Sequence, residues 1–433
     1  MTHDQYQKCL EEMFSLHRFG IKLGLDVISR ILKNLGNPHH AFSCIHIAGT
    51  NGKGSIASGL AHILRASGFS IGLYTSPHLL KFNERIAVNH VQISDREIVD
   101  AYQKVKSACD TDREPTFFEY TTAMALYHFA KCRVDWAVIE TGMGGRLDAT
   151  NVLSPEISII SNISMEHRLY LGNTISDITR EKAGIIKPKI PAITGVTQKS
   201  AIAVTESTAA EMAAPLYRLG RDFRVRRKGN GWFSYFGMDH QWRDLRAGLR
   251  GDHQIDNAAL ILAACEVLQQ KNVPVTIETI RQSLECYQWP GRLEMLPTSP
   301  PILIDGAHNL MSARVLGNYF RDELSGKRIT LVIGILDDKP YQSILQSLLP
   351  HCSRVILTEP KINRKLSPEK MIDIARSIIR DAEIVRDVGA AVRHAIKITP
   401  PDGIICIAGS LYVVGEAKQA LVVMGTADPE TAG

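Results

Sequence analysis

Seven consecutive residues, Gly49-Thr50-Asn51-Gly52-Lys53-Gly54-Ser55, have the composition of a loop that holds an anion. Glycines allow successive backbone N–H groups to turn toward one point. The apolar run 44–48 before them reads as a buried strand, and 55–67 after them as a helix closed by Gly68. A helix N-terminus adds partial positive charge to such a loop. There Lys53 can reach the β- and γ-phosphates of a nucleotide, and the Ser55 hydroxyl can ligate Mg2+. The spacing departs from the strict G-x-x-x-x-G-K-[ST] pattern, because Gly54 separates Lys53 from Ser55. Hard cations need oxygen ligands, and Glu140 offers one. It ends an apolar run, 136–140, and opens a glycine-rich turn, where open α/β sheets place their chemistry. Asp305 and His308 stand in the same way at the end of the run 302–305.

The elements that must position these groups are legible as alternation. Short apolar runs alternate with amphipathic segments, which favours parallel sheets with crossover helices. In the first half the strands expected are 44–48, 70–74, 136–140, 157–162 and 192–194, with a helix over 174–183. In the second half they are 302–305, 329–335, 354–358 and 404–408, with a helix whose N-cap is Ser367. Gln288-Trp289-Pro290-Gly291-Arg292 marks the boundary. The expected organisation is a nucleotide-binding domain over 1–288, a linker over 289–294, a smaller α/β domain over 295–424 and a flexible tail over 425–433. The basic stretch Arg224-Val225-Arg226-Arg227-Lys228 before Gly229-Asn230-Gly231 reads as a solvated edge strand running into a hairpin turn, with attraction of acidic tails as a lesser alternative.

Composition excludes several classes. The 433 residues are 45% hydrophobic and 22% charged, ordinary for soluble globular proteins. A net charge of +5 is a weak excess that does not by itself argue for a nucleic-acid surface. No apolar run approaches the roughly 20 residues of a membrane span. The N-terminal residues show no cationic stretch followed by an apolar core, so no secretory signal is visible. The eight cysteines form no C-x-x-C pair and read as free thiols in a reducing cytoplasm.

The G-T-N-G-K-G-S loop is the form found in the Mur-ligase superfamily. Within it the chain closely resembles the folylpolyglutamate synthase and dihydrofolate synthase family. The motifs that carry the resemblance run along nearly the whole chain. They include Leu23-Gly24-Leu25-Asp26, Thr75-Ser76-Pro77-His78-Leu79, Phe82-Asn83-Glu84-Arg85-Ile86, and Thr116-Phe117-Phe118-Glu119. The stretch from Glu140 to Asn151 and Glu181-Lys182-Ala183-Gly184-Ile185 follow. His253-Gln254, Asn257-Ala258, Pro290-Gly291-Arg292, Asp305-Gly306-Ala307-His308-Asn309 and Gly409-Ser410-Leu411-Tyr412 complete the series.

The resemblance implies a fold class, α/β: a Mur-ligase-like N-terminal P-loop nucleotide-binding domain plus a smaller C-terminal Rossmann-like α/β domain, with the active site between them. It implies ATP as substrate and two Mg2+ sites, with K+ or another monovalent cation as an optional addition. Gly49, Thr50, Asn51, Gly52, Lys53, Gly54 and Ser55 would hold ATP, joined by Asn257, Arg292 and Asp305. Ser55, Ser76 and Glu140 would ligate one metal ion and His167 a second. An ammonium beside two divalent cations would be strongly repelled. In the family the lysine matching Lys182 is carbamylated by CO2, which makes it an anionic ligand. Two departures stand out: Glu166 replaces the usual aspartate before the metal-binding histidine, and Leu310 replaces the usual proline after His308-Asn309.

By the same resemblance His308, Ser410 and Tyr412 contact the incoming L-glutamate, and Thr116, Phe118, Asp148 and Ala149 bind the pterin. Lys53, Lys182 and His308 are the catalytic candidates. Phe118 could stack on a pterin ring and Asp148 hydrogen-bond its amino-pyrimidine edge. The implied reaction is ATP-dependent formation of an amide between glutamate and dihydropteroate or folates, through an acyl phosphate. A monomeric cytoplasmic enzyme with small-molecule substrates is expected, bound to neither nucleic acid nor membrane. The rival readings are a polyglutamylase without dihydrofolate synthase activity, a Mur-type ligase for a cell-wall or amino-acid-polymer substrate, a nucleotide-gated binding protein without catalysis, and a P-loop kinase.

Overall fold

The computed structural model describes residues 3–16, 22, 24–110 and 113–425. Leu23 of the first motif and residues 426–433 of the expected tail lie outside the described residues. The chain divides into two compact units. The first comprises Met1–Pro77, Asn83–Gly248 and Gln254–Gln288. The second comprises His78–Phe82, Leu249–His253 and Trp289–Gly433.

The first unit is built on β1 Ser43–Ala48, β2 Ile71–Tyr74, β3 Ile86–Val88, β4 Val91–Gln92, β5 Trp136–Glu140, β6 Ile157–Ile160, β7 Ala192–Thr194 and β8 Leu216–Arg218. They form one sheet in the order β4-β3-β2-β5-β1-β6-β7-β8. From β2 to β8 all neighbours are parallel, and the β2-β3-β4 edge is antiparallel. β5 and β6 are buried along their whole length. That is why they read as unbroken apolar runs rather than alternating ones. The chain leaves β1 toward β2 on one side and reaches β6 on the other, so the end of β1 is a switch point, the usual ligand position in such sheets.

Element boundaries fall close to expectation, with physical reasons where they differ. The helix after the phosphate loop spans Lys53–Ala66 and closes at Ser67, with Gly68 just beyond it at φ 97°. The expected strand 157–162 stops at Ile160, because Ser161 and Asn162 turn to bind the loop. The helix Ile175–Ala183 starts from Thr174, whose side chain accepts from Asp177 N in a full capping box. A separate three-stranded sheet has the order β11-β10-β9, from β9 Arg224–Gly229, β10 Trp232–Phe236 and β11 Gln241–Arg246. The basic stretch is thus an exposed edge strand, and Gly229, Asn230 and Gly231 all take positive φ in the turn. Arg227 and Lys228 pair with Asp256 and Asp244.

The second unit has β12 Glu294–Leu296, β13 Ile302–Ile304, β14 Ile329–Ile333, β15 Arg354–Leu357, β16 Ala382–Ile384 and β17 Ile404–Ala408. The sheet order is β12-β13-β17-β14-β15-β16, parallel except for β12. Two apolar clusters cover its faces. One includes Leu331, Ile333 and Phe320, the other Val332, Ile407 and Val414. Ser367 is not the N-cap expected of the helix Glu369–Ile378; Pro368 occupies that position and is itself helical. The Ser367 hydroxyl donates instead to the Glu369 carboxylate. All eight cysteines are free. Among the described residues no helix is long and apolar enough to cross a membrane.

Candidate active site

The first residues of the phosphate loop are held by the chain that follows β6. Gly49 leaves β1 at φ 145°, and a Cβ there would meet Ser161 Oγ at 1.8 Å. Ser161 Oγ donates to Asn51 O at 2.6 Å and Asn162 Nδ2 donates to the same carbonyl at 2.9 Å. Asn51 N donates back to Asn162 Oδ1 at 3.0 Å. Thr50 N donates to Asn162 O at 2.8 Å, and Ser164 N donates to Thr50 Oγ1 at 3.0 Å. Gly52, at φ 84°, is the N-cap of the helix. The first intrahelical bond runs from Ile56 N to Gly52 O, so the N–H groups of Lys53, Gly54 and Ser55 precede the helical ladder. Such a helix start attracts an anion.

Lys53 Nζ lies 3.3 Å from Thr50 O and 3.7 Å from Glu140 Oε1. The other Glu140 oxygen accepts from Ser76 N at 3.2 Å. Ser55 Oγ is buried and has no hydrogen-bond partner among the described residues. A native buried hydroxyl without a partner needs an explanation, and a hard cation beside Glu140 supplies one. Ser55, Ser76 and Glu140 therefore fit a Mg2+ site by donor chemistry. Thr141 Oγ1, also buried and without a partner among the described residues, adjoins the same strand end; sequence pattern alone does not single it out.

The turn after β5 sets the position of Lys182. A Cβ at Gly145 would lie 2.9 Å from the carbonyl oxygens of both Glu181 and Lys182, so the turn rests directly on the helix end. Arg146 Nη2 binds Glu181 Oε1 at 2.8 Å from the same turn. Lys182 is thereby buried, with Nζ donating to Gly49 O and to Glu166 Oε1, each at 2.8 Å. Burial holds the Lys182 ammonium below the usual lysine range, against the pull of Glu166. Burial pushes Glu166 the other way, but the cations of Lys182 and Lys53 outweigh it and hold the carboxyl at about 2. His167, next in the chain, is exposed and takes the left-handed conformation at φ 46°. A non-glycine residue there is a strained position of the kind found at functional sites.

The pterin candidates also gather in this unit. Phe118 lies in the first turn of the helix Phe117–Lys131, its ring against Gly142, where a Cβ would meet it at 2.4 Å. It is half-buried, with Tyr74 at a centroid distance of 6.0 Å. Thr116 is the N-cap of that helix and exchanges hydrogen bonds with Glu119, which Arg113 grips with two nitrogens. Asp148 Oδ2 accepts from Met143 N at 2.8 Å, and Oδ1 accepts from Thr150 N and Thr150 Oγ1 at 3.0 and 2.5 Å. Much of the bonding capacity of Thr116 and Asp148 is therefore spent inside the fold. Burial raises the Asp148 carboxyl despite these donors. Ala149 is buried behind it. Asn257 reaches the loop: its Oδ1 lies 2.4 Å from where a Gly52 Cβ would stand.

The second unit assembles its own group. Asp305 accepts from Leu293 N and Ala307 N, each at 2.9 Å, and Arg292 acts on its charge. A Cβ at Gly306 would strike Arg292 Nη1 at 2.3 Å, so the D-G-A-H-N glycine makes room for that guanidinium. His308 Nδ1 lies 2.8 Å from Gly306 O, which assigns the proton to Nδ1. Ser410 caps the helix Leu411–Val423, accepting from Val413 N at 3.1 Å. Tyr412 is 39% exposed and thus accessible to a ligand. Asn309 with Ser312 caps the helix Leu310–Glu323, so Leu310 occupies a helical first position where proline is common.

Two Mur ligase families match the chain: the middle domain over residues 47–265 and the glutamate ligase domain over residues 291–411. A dihydrofolate synthase/folylpolyglutamate synthase from Bacillus subtilis is 34% identical over 96% of this chain and 99% of its own length. A folylpolyglutamate synthase crystal structure from Thermotoga maritima superposes with a TM-score of 0.86, at 35% identity and 99% coverage of both chains. An E. coli FolC structure in complex with DHPP and ADP gives 0.89, at 26% identity, covering 96% of this chain and 98% of that one. With these likenesses spanning both units, the chain belongs to the dihydrofolate synthase/folylpolyglutamate synthase family of the Mur ligases.

Proposed function

We propose that the protein is an ATP- and Mg2+-dependent ligase that joins L-glutamate to dihydropteroate and to folates. The observation that carries this reading is the buried Ser55 hydroxyl at the start of the loop helix, which has no partner among the described residues, with Lys53 set between Thr50 and Glu140. The loop N–H groups and Lys53 hold the terminal phosphates and offset their charge as the substrate carboxylate attacks the γ-phosphorus. ADP leaves and an acyl phosphate remains. The glutamate amine then attacks the acyl carbon, and the tetrahedral adduct collapses to an amide and phosphate. Arg292, Asp305 and Asn257 are assigned to ATP, and His308, Ser410 and Tyr412 to the glutamate. Exclusion of water protects the acyl phosphate.

Ser55, Ser76 and Glu140 would hold one Mg2+, whose contribution when bound is neutralisation of phosphate charge. His167 and Lys182 are assigned to a second, Lys182 as its carbamate. Burial favours the neutral amine of Lys182, the form that attacks CO2. A new N–C bond forms and one proton leaves. A carbamate on Lys182 would set a second anion beside Glu166, so carbamylation and binding of the second metal ion are expected to occur together. Activity is further expected to respond to K+ or another monovalent cation. The half-buried ring of Phe118 is the pterin platform. The enzyme is taken to be monomeric and cytoplasmic, in keeping with its free thiols.

Product analysis tests the reading. The protein with ATP, Mg2+ and glutamate should convert dihydropteroate to dihydrofolate and extend tetrahydrofolate, and Lys53→Ala should abolish both. Extension of tetrahydrofolate alone would make it a polyglutamylase. Amide formation only with a muramyl substrate would overturn the folate assignment.

A further inference from the structure

A second cluster of ligating side chains lies at the opposite end of the helix that carries Phe118. His128 stands in the last turn of that helix and Cys132, four residues on, is its C-cap and still has helical backbone angles, so the two share one face. Glu97 approaches them from the neighbouring helix Asp95–Ala108. One donor atom from each of Glu97, His128 and Cys132 lies within 4.8 Å of the other two. His128 is buried and Cys132 lies at the surface. We propose that Glu97, His128 and Cys132 bind a transition-metal ion of the Zn2+ class, which pins the two helices together.

The donor set selects the metal. A thiolate, an imidazole and a carboxylate suit Zn2+ and leave Mg2+, which prefers all-oxygen shells, at a disadvantage. Zn–S and Zn–N bonds of about 2.3 and 2.05 Å at a tetrahedral angle place sulfur and nitrogen about 3.6 Å apart. Cys132 Sγ lies 3.6 Å from His128 Nε2 and 4.0 Å from Nδ1, so the sulfur is at the right distance but rests against the ring, and binding requires a side-chain rotation that brings it toward the Nε2 lone pair. Glu97 is prepared for the third position. Its Oε2 accepts from Ser94 N and Ser94 Oγ in the capping box, while its Oε1 makes no hydrogen bond among the described residues. The cap thus fixes the carboxylate and leaves one oxygen for an ion. Lys131, a neighbouring cation in the last turn, is drawn to Asp100 at 3.8 Å. A reactive thiol is the weaker explanation, since burial and the Glu97 charge push the Cys132 thiol up rather than activating it. The cluster is roughly one helix length, about 18 Å, from Phe118, so its role is structural rather than catalytic.

The test uses the whole protein, stripped with a chelator and then titrated with Zn2+ in saturating Mg2+ to mask the phosphate site. About one Zn2+ per chain should remain after gel filtration, with a raised Tm. Cys132→Ser and Glu97→Gln should each weaken retention at least ~10-fold without altering ligase activity. Both substitutions are mild, and the glutamine amide keeps an acceptor for the Ser94 cap. Co2+ in place of Zn2+ should give a thiolate charge-transfer band that Cys132→Ser abolishes. Zinc retention equal in the wild type and Cys132→Ser, or a cobalt spectrum without that band, would overturn the proposal.

Discussion

Lys182 Nζ donates to Glu166 Oε1 at 2.8 Å, forming a buried ion pair whose lysine also holds the first carbonyl of the phosphate loop. Removing the carboxylate leaves an ammonium in a dry site, so Glu166→Gln should cost about 3 kcal/mol by denaturant titration. The pair also sets an acid dependence. The Glu166 carboxyl falls from an ordinary 4.5 to about 2 on folding. Its contribution is complete above pH 4.5 and is lost as pH falls toward 2. Calorimetric Tm over that window should therefore fall more steeply in the wild type than in Glu166→Gln; parallel curves would refute the pair's role.

Lys182 is the second test. If its amine takes up CO2, isotopically labelled bicarbonate should give a carbamate NMR signal in the presence of Mg2+ and nucleotide. Lys182→Arg should lack that signal, because a guanidinium stays protonated. Lys182→Ala should lower kcat on the order of 100-fold, as expected for loss of a metal ligand.

Ser55 separates metal binding from stability. Its hydroxyl has no partner among the described residues, so Ser55→Ala should change unfolding free energy by no more than about 1 kcal/mol. The Mg2+ concentration for half-maximal activity should rise about 10-fold. A large loss of stability with an unchanged Mg2+ requirement would make Ser55 a core residue only.

Phe118 separates pterin binding from nucleotide binding. Its ring rests on Gly142 and is not needed by the loop. Phe118→Leu should raise KM for dihydropteroate about 10-fold, the value of one aromatic stack, and leave KM for ATP unchanged. Equal changes in both would point to a collapsed helix end.

Glu266 carries stability rather than chemistry. Its buried carboxylate accepts from Tyr235 Oη, Met238 N, Asp239 N and His240 N at 2.7 to 3.1 Å, tying the three-stranded sheet to the helix Asp252–Gln270. Glu266→Gln turns an amide NH2 toward these donors and should cost about 3 kcal/mol. Turnover per folded molecule should be unaffected.

The loop and the position of Glu140 at a strand end were legible because their signals are local. Glycine at 49 and 52 answers a backbone need, and Glu140 ends an apolar run. Other parts depend on which strands become neighbours, which residue order does not state. Ser161 and Asn162 clamp the loop only because β6 lies beside β1. The commitment of Thr116 to Glu119 is by contrast local, the T-x-x-E spacing of a capping box, and was open to reading from the sequence; that of Asp148 to Met143 N and Thr150 depends on how the glycine-rich turn folds back. Glu97 stands too far from His128 in the chain to be joined to it by spacing alone. Ser367 shows the reverse error: a good capping residue lost its position to the proline after it.

The parallel pairing of β5 with β1 sets Glu140 beside Ile47, and that of β6 sets Ile160 beside Ala48. The sheet thus works as a ruler. Lengthening β5 by one residue would carry Glu140 about 3.3 Å along the strand and turn it to the other face. The connection at Asn230 could absorb the same insertion with little effect. Length variation in this enzyme should therefore be confined to peripheral turns, and a frame-preserving insertion in the central strands should silence catalysis even in a chain that still folds.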